Sequence, residues 1–403
     1  MDYFITDYGV ARQEGVECAV LEDSIMHKGH LVTAGSRMLE GFVSPIDATV
    51  VTRLEAAGVQ ILGKTNMDEF GVSGLFSQAQ QCTVSSTSNL EPNLPSSESH
   101  APMSDDLILS SEDLVSGSSC SCGAVSVVAD GAAGFALCND YTGLVGRQAA
   151  ERGLYYIHPT YGTVSRYGLV PTVPSMDQIG IVCKATNEGR RVLSIISGHD
   201  PKDGAMLLDS DFGFQNSELG RGEFVIGVPT VAASEKAVLD FVKGFDIVDV
   251  ELDYFDIYAQ VMRILCCAEL SGNLSRYDGI KFGYRTGSYG DLEELYTKSR
   301  TEAFGADVKL ALIIGAMVLS QENYARRYDK AMRIRRLIKD SLDFSKYDAI
   351  AIPASASSPN ATLALSALPR LCGLPAISVP TSNGGITLIA DRVREDILFS
   401  ILR

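Results

Sequence analysis

The sequence predicts an α/β protein, and three observations lead there. Apolar, strand-like runs recur along the chain: Cys18-Ala-Val-Leu, Val59-Gln-Ile-Leu-Gly, Phe224–Val228, Phe245–Val250, Ala349–Pro353 and Ala376–Pro380. Stretches with helical spacing lie between several of them. The order strand, helix, strand over residues 18–63 implies parallel strands joined by a crossover helix. With 403 residues, 46% of them hydrophobic and 21% charged, the chain can bury a real core. That composition excludes a disordered chain, a collagen and a coiled coil.

Taken in order, Cys18–Leu21 reads as a buried strand. Asp47 reads as the N-cap of a helix that Gly58 stops, and Val59–Gly63 as the next strand. Residues 82–119 are Ser-rich, with Pro92, Pro95 and Pro102. This is the composition of a flexible insertion, within which Ser104–Leu114 has the pattern of a short helix. Ala124–Leu137 is full of small residues and reads as a tightly packed buried helix. A helix at Glu235–Gly244 separates two short strands. Thr297–Gly305 and Lys309–Ser320 read as helices, the second strongly apolar. Gln321–Ser341 reads as a long amphipathic helix rich in Arg and Lys, with a solvated outer face. Internal repeats are absent.

Charge and cysteine usage narrow the function classes. Lys and Arg total 34 against 50 Asp and Glu, a net charge of −16, which repels phosphate and argues against direct nucleic-acid binding. The nine cysteines are odd in number. Their close pairs, Cys120-x-Cys122 and Cys266-Cys267, lack the spacing of a zinc or redox motif, and histidines number five. Neither a metal nor another cofactor is expected. The opening MDYFITDYGVARQEG has neither a basic nor an apolar signal region, and no apolar run reaches a membrane span. A reduced, cytoplasmic protein without a membrane partner is the expectation.

Several phrases then point in one direction. They are Leu62-Gly-Lys-Thr-Asn-Met-Asp-Glu-Phe, Pro159-Thr-Tyr-Gly-Thr-Val-Ser-Arg-Tyr-Gly-Leu-Val, Ser175-Met-Asp-Gln-Ile-Gly, Ile196-Ser-Gly-His-Asp, Arg276-Tyr-Asp-Gly-Ile, Arg300-Thr-Glu-Ala-Phe-Gly and Gly373-Leu-Pro-Ala-Ile-Ser-Val-Pro. Together, and in this order from about residue 15 to about residue 395, they resemble the amidase signature family. Within it they are most similar to the glutaminase (A) subunits of tRNA-dependent amidotransferases. The resemblance implies one domain over residues 1–403, an α/β/α sandwich around a mixed, twisted sheet. It also implies a Ser-Ser-Lys triad, in which a buried Lys of lowered pKa and a relay Ser in a cis peptide activate a nucleophilic Ser. Backbone N–H groups of a Gly-rich turn would bind the oxyanion.

The triad positions depart from that pattern. The family Lys stands in G-I-P-x-x-I-K-D, and the matching run Gly15-Val-Glu-Cys-Ala-Val-Leu-Glu-Asp puts Glu22 there. Lys64 belongs to the later G-K-T-N phrase. The family nucleophile stands in D-x-G-G-S-I-R-Q-P-A-A. Asp140-Tyr-Thr-Gly-Leu-Val-Gly-Arg-Gln-Ala-Ala places Leu144 at its position. Counting back through Ser118-Ser-Cys-Ser-Cys-Gly to the family's G-G-S-S-G-G-S puts Cys120 at the relay. Leu144 has no heteroatom to form an acyl intermediate, and Glu22 cannot act as the amine.

Other positions keep two readings each. Tyr141, Thr142 and Gly143 form either a substrate-binding turn or a bare structural one. Arg335 matches a family Arg near the substrate carboxylate, or is an ordinary helix Arg. Cys120 with Ser118, Ser119 and Ser121 is a new nucleophile cluster or a plain loop. Glu22 with Asp23 is an acid–base pair or a solvated strand end. His158 stands where the family has Lys and reads as structural, as do Asp177 and Gln178. The segment Ala361–Pro375 carries none of the acids that precede T-I-P-x-N-x-A-G-L-P in the family.

The expectation is therefore a catalytically silent paralogue of the glutaminase chain, working as a binding, scaffold or regulatory protein. Its partners would be amidotransferase B- and C-like subunits or another amidase-fold chain. The alternatives are an active amidase or glutaminase chain with its nucleophile at Cys120 or an adjacent Ser, and a decaying copy.

Overall fold

The computed structural model describes residues 4–13, 15–76, 122–208 and 223–403. The Ser-rich stretch, Cys120 with its neighbouring serines, and the short helix expected at Ser104–Leu114 lie outside the described residues.

In chain order the elements are β1 (Phe4–Asp7), β2 (Cys18–Glu22), α1 (Thr49–Ala56), β3 (Gln60–Thr65), α2 (Ser73–Phe76), α3 (Gly123–Ala129), β4 (Phe135–Asn139), α4 (Leu144–Glu151), β5 (Tyr155–His158), β6 (Ile179–Cys183) and α5 (Thr186–Ile196). Then come β7 (Val225–Pro229), α6 (Lys236–Phe241), β8 (Asp246–Val250), α7 (Tyr258–Leu274), α8 (Leu292–Ala303), α9 (Ala306–Leu319), α10 (Lys330–Asp340), β9 (Ala349–Pro353), α11 (Pro359–Cys372), β10 (Ala376–Thr381), β11 (Gly384–Ala390) and α12 (Glu395–Ile401). All these strands join one sheet in the order β1-β3-β2-β4-β6-β5-β10-β11-β9-β7-β8. It is mixed: β2 runs parallel to β3 and β4, and β7 parallel to β8 and β9, while β4–β6, β5–β10 and β10–β11 are antiparallel.

Alternation along the strands sends side chains to two faces. Ala19, Leu21, Phe135, Leu137, Ile179 and Ile181 pack with α1 and α5, and Ile377, Val379, Ile386 and Leu388 with α6 and α12, in one continuous core. Val20, Ala136, Cys138 and Val182 face α3 and α4 on the other side, and Ile350, Ile352 and Ile389 face the bundle of α7, α9, α10 and α11. Each fully buried aliphatic side chain contributes about 1.5–3 kcal/mol. The central strands are buried throughout, which is why they read as short unbroken apolar runs rather than alternating ones.

Several local expectations are corrected. Asp47 does not cap α1: Ala48 is the N-cap, and the Asp47 carboxylate accepts the Lys28 N–H at 2.7 Å. The helix expected over Ala124–Leu137 ends at Ala129, because Asp130-Gly131 turns the chain and Phe135–Asn139 enters the sheet. The helix expected over Gln321–Ser341 is divided into a π turn, Tyr324–Asp329, and α10.

Candidate functional site

The carboxyl ends of β2 and β4 lie side by side in parallel, and the chain leaves β4 through a turn into the N-terminus of α4. Crevices beyond the carboxyl ends of parallel strands are where α/β sheets bind ligands. A cleft opens here, lined by Glu22, Asp68, Cys122, Asn139, Asp140, Thr142 and Leu144 among others. Two of the three triad positions are thus brought together. The third, Cys120, lies outside the described residues.

Glu22 closes β2 and is 3% exposed. Its Oε2 accepts the Ser24 hydroxyl at 2.6 Å and the Asn139 N–H at 2.9 Å. Burial pushes its carboxyl up to about 8, and the nearby Asp68 and Asp140 carboxylates add to the shift, so at neutral pH this side chain is protonated. Asp68 is itself tied down, accepting the Ser73 N–H at 2.8 Å. Leu144 is the first residue of α4 and packs buried against the cleft.

The turn before α4 is built around Asp140. Its Oδ1 accepts the Gly143 N–H at 2.8 Å and its Oδ2 the Gly146 N–H at 3.0 Å. Gly143 sits at φ 87°, and a Cβ there would stand 2.4 Å from Ser366 Cβ, so only glycine fits. One N–H that an oxyanion would use is therefore already given to a carboxylate. Tyr141 is buried and donates its hydroxyl to Phe70 O at 2.9 Å; burial raises its pKa well above the usual value. Thr142 O accepts the Ser366 hydroxyl at 2.8 Å. Arg335 is away from the cleft. Its Nε donates to Leu371 O at 2.7 Å, and its two terminal nitrogens donate to Ser175 Oγ at 2.9 Å and Ser175 O at 3.0 Å.

The nearest buried amine is on the other face of the sheet. Lys64 pairs in register with Leu21, and Thr65 with Glu22, so the Lys64 side chain leaves the sheet on the Leu21 side. Its Nζ sits 3.2 Å from Asp23 Oδ1 and donates to Leu31 O at 3.0 Å. Burial lowers its pKa to about 8, and Asp23 holds it up against a larger fall. Asp23 also accepts the Thr33 N–H at 2.9 Å. The Glu22–Asp23 pair is therefore divided between the two faces.

Sequence reasoning missed Arg370. It projects from α11 behind the Asp140 turn, 5% exposed, with its Nη2 2.9 Å from Asp140 Oδ2. The signal was there: one Arg inside the apolar helix Pro359–Cys372. His158 is buried nearby, and burial together with Arg370 keeps its imidazole neutral.

Comparisons with known proteins agree with the geometry. Residues 18–370 match the Amidase family. The A chain of the glutamyl-tRNA(Gln) amidotransferase of Lachnoclostridium phytofermentans is 35% identical over 396 residues, covering 91% of this chain and 75% of that one. Its counterpart from Acinetobacter baumannii is 34% identical, covering 94% and 80%. Among solved structures, the corresponding glutamyl-tRNA(Gln) amidotransferase chain of Thermotoga maritima superposes with a TM-score of 0.70 at 26% identity, covering 100% of this chain and 86% of that one. The peptide amidase of Stenotrophomonas maltophilia, at 21% identity and a TM-score of 0.66, shares the fold.

Proposed function

The chain belongs to the amidase signature family, and we propose that it has kept the fold of an amidotransferase glutaminase chain while serving as a binding protein that does not hydrolyse amides. At the coarser level it is an amidase- or amidotransferase-type subunit. The observation that carries the finer reading is the pair of side chains in the cleft. Leu144 begins α4 where an attacking oxygen would be needed, and Glu22 puts a protonated carboxyl where an amine would be needed. Ser, Cys and Thr hydroxyls and thiols need an adjacent base, and the buried lysine of the region is paired with Asp23 on the far face of the sheet. In this reading the chain is one domain that meets B- and C-like subunits, or a second amidase-fold chain, in the cytoplasm. Tyr141, Thr142 and Gly143 serve as the binding turn, and Arg335, away from the cleft, ties Leu371 to Ser175 rather than meeting a ligand. No helix among the described residues is long and apolar enough to cross a membrane.

The second reading is an active enzyme chain whose nucleophile is Cys120 or a neighbouring Ser. The similarity of at least 34% to the A chains of glutamyl-tRNA(Gln) amidotransferases over nine-tenths of this chain favours it. One experiment separates the two. Purified chain, alone and co-expressed with B- and C-like subunits, is assayed for ammonia release from glutamine and treated with a thiol- and serine-reactive amide probe. The binding reading expects stable co-purification with neither turnover nor labelling. Turnover accompanied by labelling at Cys120 or Ser119 establishes the active enzyme.

A further inference from the structure

At the β1 margin of the sheet three rings meet. Residues 27–30 form a turn closed by the His30 N–H on His27 O at 3.1 Å, with Gly29 at φ 83°. The turn brings its two imidazoles together, with ring centroids 4.7 Å apart. Tyr8, the residue after β1, stacks on the His30 ring at 3.7 Å with 25° between the planes, and meets the His27 ring edge-on at 5.3 Å. Its hydroxyl stands 3.1 Å from His27 Nδ1, while His27 Nε2 is 3.4 Å from Glu55 Oε1 on α1.

This arrangement suits neutral rings. Burial, and after it the Asp23, Asp47 and Glu55 carboxylates, raises the Tyr8 pKa, so the hydroxyl keeps its proton. A neutral His27 with its hydrogen on Nε2 accepts that hydroxyl and faces Glu55 at the same time. Burial, and after it His27 and Lys64, lowers the His30 pKa, with Asp47 opposing. The charged groups around the cluster are thus Asp7 beside Tyr8, Lys28 in the turn, Asp23 and Lys64 at the strand ends, Asp47 ahead of α1 and Glu55 on it. Charging both imidazoles would set two cations about 5 Å apart and turn the His27 Nδ1 acceptor into a donor aimed at a hydroxyl.

The strand next to this cluster is lightly held. β1 has four residues and pairs with β3 alone, with a break in register between Phe4 and Thr6. It rests on Gly63, where a Cβ would stand 2.5 Å from Thr6 O. Farther on, Ala11 O and the Gln13 N–H are tied to the Gln60 amide, a pivot beyond the rings. We propose that Tyr8, His27 and His30 form an acid-released clasp: it pins β1 to the sheet, and proton uptake by the two imidazoles lets β1 swing away and bares the edge of β3 at residues 63–65. The clasp is independent of any chemistry in the cleft.

Hydrogen exchange read by mass spectrometry on the full chain tests it, at about pH 7.5 and about pH 5.5, either side of the ordinary histidine range. Labelling times are scaled to the intrinsic chemical rates. Protection of β1 is expected to fall about tenfold on acidification, the scale of repulsion between two unit charges at this separation, while β10 and β11 stay unchanged. H30F keeps a flat ring against Tyr8 but takes up no proton, so β1 is expected to stay protected at the lower pH. Equal protection of β1 at the two pH values in the unaltered chain overturns the proposal, as does a folded H30F chain that loses protection to the same extent. Should H30F fail to fold, NMR of the histidine rings decides. The His30 titration midpoint is expected to rise in H27Q, and an unmoved midpoint overturns the coupling between the rings.

Discussion

Two neighbouring parts of this molecule treat the family pattern in opposite ways. Around Asp177 the phrase Ser175-Met-Asp-Gln-Ile-Gly stands as the family has it, and its carboxylate is fully engaged. The Asp177 carboxylate accepts the Thr172 N–H at 2.9 Å, the Thr172 hydroxyl at 2.6 Å, the Val173 N–H at 2.9 Å and Asn139 Nδ2 at 2.9 Å. Gln178 donates its N–H to Asn139 Oδ1, and Ser175 donates its N–H to Glu269. A few residues away, the cleft is lined by the buried Glu22 and Leu144, at positions where the family pattern has Lys and Ser. The difference teaches that the family's long phrases are of two kinds. The Asp177 phrase satisfies buried donors that folding itself must satisfy; the side chains at 22 and 144 line a cleft, where folding makes a weaker demand on residue type.

The largest expected effect comes from breaking the first kind. Asp177→Ala leaves several buried donors orphaned at about 1–3 kcal/mol each, and a total loss of about 3–5 kcal/mol is expected. It would be read as a fall in the denaturation midpoint at unchanged slope. A loss under about 1 kcal/mol would erase the contrast between the two regions.

The cleft is expected to respond in the opposite direction. The Glu22 carboxyl is raised to about 8 in the folded chain, against about 4.5 when unfolded. Between those values the folded state binds more protons than the unfolded one, so stability falls as pH rises through that window. Glu22→Gln removes this burden. A gain of about 1–3 kcal/mol at pH 8–9 and a flatter stability profile from pH 5 to 8 are expected by chemical denaturation at several pH values.

Leu144→Ser sharpens the chemical side. It puts a hydroxyl at the start of α4 beside the Glu22 carboxyl, so on the proposed binding function no ammonia release from glutamine is expected. The loss of a buried side chain costs about 1–3 kcal/mol. Turnover from this change alone would show that the cleft holds a working base. The smallest effect is expected from Arg335→Lys. It gives up a forked set of donors to Leu371 and Ser175 at the protein's flank, for about 1 kcal/mol in thermal or chemical unfolding.

Much of the sheet was legible because its central strands are buried on both sides. Cys18–Leu21, Ala349–Pro353 and Ala376–Pro380 stand out as short apolar runs and are strands. β11 was missed although its signal is present: Ser382-Asn383, followed by two glycines, forms the two-residue loop between two β-prone runs, with Thr381 paired to Gly384. The run from Ala124 to Leu137 misled because small residues suit a packed helix and a buried strand alike. At the site, the positions of Glu22 and Leu144 followed from phrases fixed in register. The Arg370 contact did not, since a cation acting across more than two hundred residues leaves no local pattern. The burial that raises the Glu22 pKa is a property of the assembled cleft and has no counterpart in sequence spacing.

The order of the strands has one more consequence, for how copies of this protein behave beside one another. Among the described residues the open sheet ends in β8, whose outer edge pairs with no further strand and is the kind of margin that recruits a foreign one. Asp246 and Asp249 stand exposed on that strand, either side of the exposed Ile247. Their mutual repulsion with any like-charged neighbour guards the margin against stacking in a crowded solution, leaving other faces of the molecule to choose its company.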